Sequence, residues 1–98
     1  MRLINRIQYN GAYWHFYELS NNGFYMAPDL DEDLTLFIES NGYEGEVSPD
    51  AAGIIATLYA LNHLCHTTRS EKLIDAYYLL RDYVGQHAEA SKIYSAID

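Results

Sequence analysis

Apolar and polar positions change their period along this 98-residue chain. From Tyr13 to Val47 they alternate, as in half-buried strands; from Ala51 onward they recur every three or four positions, as in helices. The stretch around which the rest must be organised is Ser48–His66, SPDAAGIIATLYALNHLCH. Ser48 is a good N-cap, Pro49 suits the first helical position, and Asp50 places a negative charge at the positive end of the helix dipole. Ile54, Ile55, Leu58, Tyr59, Leu61 and Cys65 spread over every side of this helix, interrupted only by Thr57, Asn62 and His63. A helix apolar all round is a core helix. With Asn62 and two histidines near its end it is too short and too polar to be read as a membrane span.

Ahead of it, Tyr13–Leu19 is an aromatic-rich strand, and Ser20–Gly23 supplies a turn tolerant of positive φ. Phe24–Ala27 is a second short strand, closed by Pro28, and Asp29–Asp33 is an acidic loop. Leu34, Leu36 and Ile38 share one face of a third strand. Asn41–Gly42 is a two-residue hairpin signal, and Tyr43, Gly45 and Val47 point inward from a fourth strand while Glu44 and Glu46 point out. Residues 1–8, with Leu3, Ile4 and Ile7 at helical spacing, predict one or two helical turns, broken at Asn10–Gly11. After Thr67–Ser70 a second helix carries the stripe Leu73, Tyr77, Leu80 and Val84, with Gly85 as its C′ residue. A last helix from about Ala88 to Ile97 faces inward with Ala90, Ile93, Tyr94 and Ile97. The expectation is an α+β fold in one domain over residues 1–98: a four-stranded antiparallel β-meander, a buried central helix and two further C-terminal helices.

Charge narrows the functional classes. The formal net charge is −8, and no lysine or arginine stands between Arg6 and Arg69. That span holds Glu18, Asp29, Asp31, Glu32, Asp33, Glu39, Glu44, Glu46 and Asp50. Such a surface repels phosphates, so direct nucleic-acid binding is not expected. The aromatic run Tyr13, Trp14, Phe16, Tyr17 lacks the basic neighbours of a base-stacking platform and reads as core and cross-strand packing. The single cysteine, Cys65, excludes an internal disulfide and suits a reducing compartment. The N-terminus is too short and polar for a signal peptide, so a cytoplasmic protein without a membrane segment is expected.

Catalytic chemistry finds no signature. His63 and His66 share a helix face, but Cys65 points elsewhere and no second ligand pair exists, so the two histidines read as residues favoured at a helix C-terminus. Cys65 lies in the most apolar helix, where a thiolate is disfavoured. Ser20 and Ser48 are accounted for as turn and cap, and the acidic loop lacks calcium-loop spacing. No catalytic residue, metal or cofactor is expected.

Three segments resemble a known family: GAYWHFYELSNNGFYMAP (Gly11–Pro28), NGYEGEVSPDAAGIIATLYALNHL (Asn41–Leu64) and LRDYVGQHAEASKIYSAID (Leu80–Asp98). They are similar to the antirestriction family of ArdB and KlcA type, with Ala12 where that family often has Gly and Ala88 where it often has Pro. Against the family pattern the chain is a short member lacking part of the usual N-terminal segment. The resemblance implies a non-enzymatic protein of plasmids or other mobile elements that relieves type I restriction of incoming DNA. Its partner would be the host type I restriction-modification system, engaged directly or indirectly, with the protein a monomer or weak homodimer. The protein-contact candidates are the acids Asp29, Asp31, Glu32, Asp33, Glu44 and Glu46, read as exposed, and Asp98, which closes the family tail. The rival readings are an acidic interaction module or complex subunit of unrelated purpose, and mimicry of DNA by an elongated stripe of carboxylates.

Overall fold

The structure is a computed structural model that describes the backbone of residues 2–9 and 12–98 and the side chains from Tyr13 onward. Strands precede helices: β1 (Arg2–Tyr9), β2 (Ala12–Glu18), β3 (Phe24–Pro28), β4 (Leu34–Ile38), β5 (Tyr43–Val47), then α1 (Pro49–Thr68), α2 (Glu71–Val84) and α3 (Ala90–Ile97). The α+β class, the central helix and the two helices after it are as the sequence pattern predicts. The strands expected between Tyr13 and Val47 are all present, as the antiparallel pairs β2–β3 and β4–β5.

Two features of the strand region differ from expectation. Residues 1–8 were expected as helical turns, but Arg2–Tyr9 form a strand antiparallel to β2, in a register that places Ile7 opposite Trp14. So short a segment gains little as an isolated helix, whereas pairing along β2 satisfies those of its backbone groups that face β2. The expected turn at Asn10–Gly11 lies outside the described residues. The second difference is that the meander is divided. One sheet runs β1-β2-β3 and a separate one holds β4-β5.

The division has a physical cause in α1. This helix lies against the edge of β3 that a fourth strand would need. Gly53 is the crossing point: a Cβ there would come 2.3 Å from Met26 O and 2.5 Å from the Ala27 Cα. One turn on, the Thr57 hydroxyl accepts from the Met26 N–H at 3.1 Å and donates to Gly53 O at 2.8 Å. The helix therefore satisfies an edge donor that would otherwise wait for a strand. Pro28, two positions further, has no N–H to leave unpaired, as befits an edge strand.

The core gathers around the first half of α1. Ile54, Ile55, Leu58 and Leu61 are buried against Tyr25 and Ala27 of β3, Val47 of β5, Ala76, Leu80 and Val84 of α2, and Ile93 and Ala96 of α3. Leu34, Leu36 and Ile38 turn inward from β4 as alternation predicts, while Thr35 and Phe37 face out. The β4–β5 connection is a four-residue loop over residues 39–42 rather than two residues. Gly42, at φ 73°, donates its N–H to Ile38 O at 2.8 Å. Ser48 caps α1, accepting from the Ala51 N–H at 3.1 Å. At the other end Arg69, at φ 54°, takes the left-handed position where glycine is usual. Gly85, expected as the left-handed residue after α2, is right-handed at φ −59°. From Ala56 onward α1 departs from the expectation of all-round burial: Ala56, Ala60 and Leu64 are exposed on one side.

Gly53→Ala tests the crossing. In an ordinary helix interior this change stabilises by about 0.8–1 kcal/mol. Here the added methyl meets backbone, so urea unfolding is expected to show a net loss of about 1–3 kcal/mol.

Candidate functional site

Two groups of polar side chains stand out. One is an outward acidic face. β4 and β5 pair so that Thr35 lies opposite Glu46 and Phe37 opposite Glu44, all four on the solvent side of the two-stranded sheet. Phe37 is 64% exposed there, an aromatic ring beside a carboxylate. Asp31, Glu32 and Asp33, also exposed, lead into β4 at one end of this face. At its other end Asn41 Nδ2 donates to Ala96 O at 2.8 Å, which ties the hairpin tip to the end of α3, where Asp98 is exposed. The fold thus lines up six of the seven acids singled out in the sequence along one hairpin and its two ends. Lys92 of α3 reaches the hairpin, its Nζ donating to Glu46 O at 2.9 Å.

Asp29 is the exception. It was expected to be exposed with the others, but it is half-buried, with Oδ1 3.4 Å from His15 Nε2. Residues 29 and 15 meet because the chain after β3 turns back over β2, where the Asp29 N–H donates to Tyr13 O at 2.9 Å. His15 Nδ1 is buried, with no hydrogen-bond partner among the described residues.

The second group was not foreseen. It surrounds Asp50, read in the sequence only as a dipole partner. Its Oδ1 accepts from the Tyr25 hydroxyl at 2.7 Å, and its Oδ2 lies 2.7 Å from His87 Nε2. His87 Nδ1 accepts from the Glu89 N–H at 3.0 Å, so the ring proton sits on Nε2 and is donated to Asp50. The Glu89 carboxylate returns to the start of α1, accepting from the Ser48 N–H at 3.0 Å and from the Ser48 hydroxyl. The segment between α2 and α3 is therefore clasped to the N-terminus of α1 by two carboxylates. The partners are 37 and 41 positions apart, a separation that no spacing rule reads.

Tyr17, Tyr25 and Tyr83 stack beside the clasp, with ring centroids 5.1 and 6.1 Å apart, and Tyr83 meets the His87 ring edge-on. Burial first, then the Asp50 charge, pushes the Tyr17 and Tyr83 hydroxyls up from their ordinary value. Tyr25 is raised most, by burial and then by its hydrogen bond to Asp50. All three remain protonated at neutral pH, and the Tyr25 hydroxyl donates to Asp50. Burial alone would push the Glu89 carboxyl up, but the Ser48 hydroxyl and N–H, with His87 and Lys92 nearby, outweigh it and hold Glu89 below its ordinary value.

A cleft of about 290 Å³ opens on this region, lined among others by His15, Tyr17, Asp29, Ser48 and Asp50. Its chemistry is limited by prior commitments. The acceptor nitrogen of His87 is taken by the Glu89 N–H and its Nε2 faces Asp50, so the imidazole has no free lone pair with which to take a proton, while each Asp50 oxygen carries one hydrogen bond within the protein. Among the described residues no three of His, Cys, Asp and Glu group to hold a metal ion. His63 and His66 are exposed on the last turns of α1. No helix of the described residues is long and apolar enough to cross a membrane.

Comparison with known proteins places this geometry in context. A family profile described as "Antirestriction protein" matches residues 7–98. The antirestriction protein KlcA of Escherichia coli is 53% identical over 101 residues, covering 99% of this chain and 70% of KlcA. A second KlcA of Escherichia coli is also 53% identical, and there this chain spans only 64% of the relative's length. A solved structure matches with a TM-score of 0.81 at 52% identity, covering 93% of this chain and 67% of that one. It is described as showing that the KlcA and ArdB proteins have a novel fold and antirestriction activity against type I DNA restriction systems in vivo but not in vitro.

Two measurements test the clasp. Tyr25→Phe removes a hydrogen bond to a charged group and is expected to cost about 1.5–3 kcal/mol in urea unfolding. For Glu89 the folded value lies below the unfolded one, near 4.5. Its contribution is therefore present above that pH and lost as pH falls through the folded value. Glu89→Gln is expected to be less stable than the parent at pH 7, with the difference shrinking as pH falls below the unfolded value and through the lower folded one.

Proposed function

Because this chain belongs to the antirestriction protein family, we propose that it relieves type I restriction of incoming DNA in the cell, through protein contacts and without catalysing a reaction. The observation that carries this reading is the family match over residues 7–98, supported by a fold that follows the KlcA and ArdB structure at a TM-score of 0.81. A non-enzymatic mode is supported by the Asp50–His87 clasp, in which both ring nitrogens of the histidine are committed to holding the chain. A contact mode is supported by the outward hairpin face, where Phe37 stands among Glu44, Glu46 and the Asp31–Asp33 loop. An exposed aromatic ringed by carboxylates suits a partner surface carrying basic side chains around an apolar pocket.

The family structure is described as active in vivo but not in vitro. Carried to this chain, that contrast favours action through a further component of the cell over direct inhibition of the isolated enzyme. It also fits a cytoplasmic protein encoded on the mobile DNA it protects. Mimicry of DNA is disfavoured by shape: the described residues extend 34 × 31 × 28 Å, so the carboxylates lie on a nearly isometric body rather than along a rod.

Plating unmodified phage on a type I restricting host tests the proposal. Expression of the 98-residue chain is expected to raise plating efficiency toward that on a restriction-deficient host. No rise would remove the proposed activity for this chain. A Glu44→Lys/Glu46→Lys variant, altered only at exposed positions, is expected to unfold within about 0.5 kcal/mol of the parent and to lose relief. Retained relief would remove the hairpin face as the contact.

A further inference from the structure

The outer face of β2–β3 and the exposed side of α1 form the walls of an apolar groove of about 470 Å³. Trp14, Phe24 and Met26 make one wall, Ala56, Ala60 and Leu64 the other, with Leu61 and Leu73 also lining it. The polar side chain among its described lining is Thr57, whose hydroxyl is occupied by Met26 N–H and Gly53 O. Apart from the indole N–H of Trp14, no charge or available hydrogen-bonding side chain in that lining would orient a polar ligand, a sugar or an ion. An occupant must bring apolar side chains and satisfy its own backbone, which a helix does. Ala56, Ala60 and Leu64 follow each other at intervals of one helical turn, and the two alanines allow a second helix to approach closely. Between Ala51 and Cys65 this helix is apolar on almost every side in the sequence, yet Ala56, Ala60 and Leu64 are exposed.

Length supplies the candidate for the cover. The KlcA relative and the matched structure have about a third of their length outside the region this chain aligns with. We propose that this groove is the seat of an amphipathic helix drawn from that additional third, and that this chain accepts such a segment from outside its 98 residues. The proposal concerns assembly of the fold and is independent of the restriction reading above.

The test uses the 98-residue protein, labelled with ¹⁵N and methyl ¹³C, and the unmatched segment of the 53% identical KlcA as an unlabelled peptide. Trp14 is the chain's single tryptophan, so its indole N–H gives one signal inside the groove. Saturable shifts at that signal and at the Met26 and Leu64 methyls are expected. Ala60→Lys, at an exposed position that leaves the core untouched, is expected to weaken binding by at least about tenfold, because a charge is driven against apolar walls. Tyr78→Lys, on the exposed side of α2, is expected to leave affinity unchanged. Three outcomes overturn the proposal: no shifts at saturating peptide, shifts that map away from the groove, or the same groove signals moving with protein concentration alone, which would seat a second copy there.

Discussion

A helix can bring its backbone into contact with that of a strand only where the side chain between them is absent. In this protein it is absent at Gly53 of the helix, and the rest of the architecture follows. With backbone against backbone at that point, α1 takes the edge of β3, Thr57 satisfies the Met26 amide, and no fourth strand has access. β4 and β5 must then pair only with each other. The sheet is divided because one residue of the central helix has no Cβ.

The same helix organises the polar side of the molecule. Its first turn carries Ser48 and Asp50, and both reach the segment after α2. Asp50 holds Tyr25 on the sheet and His87 beyond α2, while Glu89 holds Ser48. Sheet, central helix and C-terminal helices therefore meet at one charged, hydrogen-bonded point, flanked by stacked tyrosines. A histidine facing an aspartate invites a catalytic interpretation. The amide of Glu89 on the far ring nitrogen argues for the structural one, because it leaves the imidazole nothing with which to take a proton.

Legibility in the sequence follows what periodicity encodes. Alternation assigns each side chain to a face, so Leu34, Leu36, Ile38 and Val47 turn inward as expected, with Glu44 and Glu46 outward. It does not say which strand lies alongside, so the break between β3 and β4 was invisible. Leu3, Ile4 and Ile7 fit helical spacing within a window of eight residues, too short for periodicity to decide, and pairing with β2 decided it. The acids of the hairpin face were legible because exposure follows from alternation and loop position. Asp29 was misjudged because its burial depends on His15, fourteen positions earlier. Asp50, His87 and Glu89 carry no shared local pattern at all. The exposed flank of α1 could not be foreseen either, since an apolar surface in a sequence does not name its cover.

The β4–β5 hairpin has no ladder to the main sheet. Besides the side chains it buries, the polar ties described between it and the helices are those from Asn41 and Lys92, and both run to α3. Hairpin and terminal helix are thereby coupled as a unit, set against a framework that is stapled more tightly by the three-stranded sheet and its crossing helix. That unit is joined to the framework through α3, by the Glu89–Ser48 clasp and by the Tyr59 hydroxyl, which donates to Ala96 O at 2.6 Å. The surface that carries Glu44 and Glu46 is thus positioned through side chains and the terminal helix alone, with no strand of the main sheet alongside it.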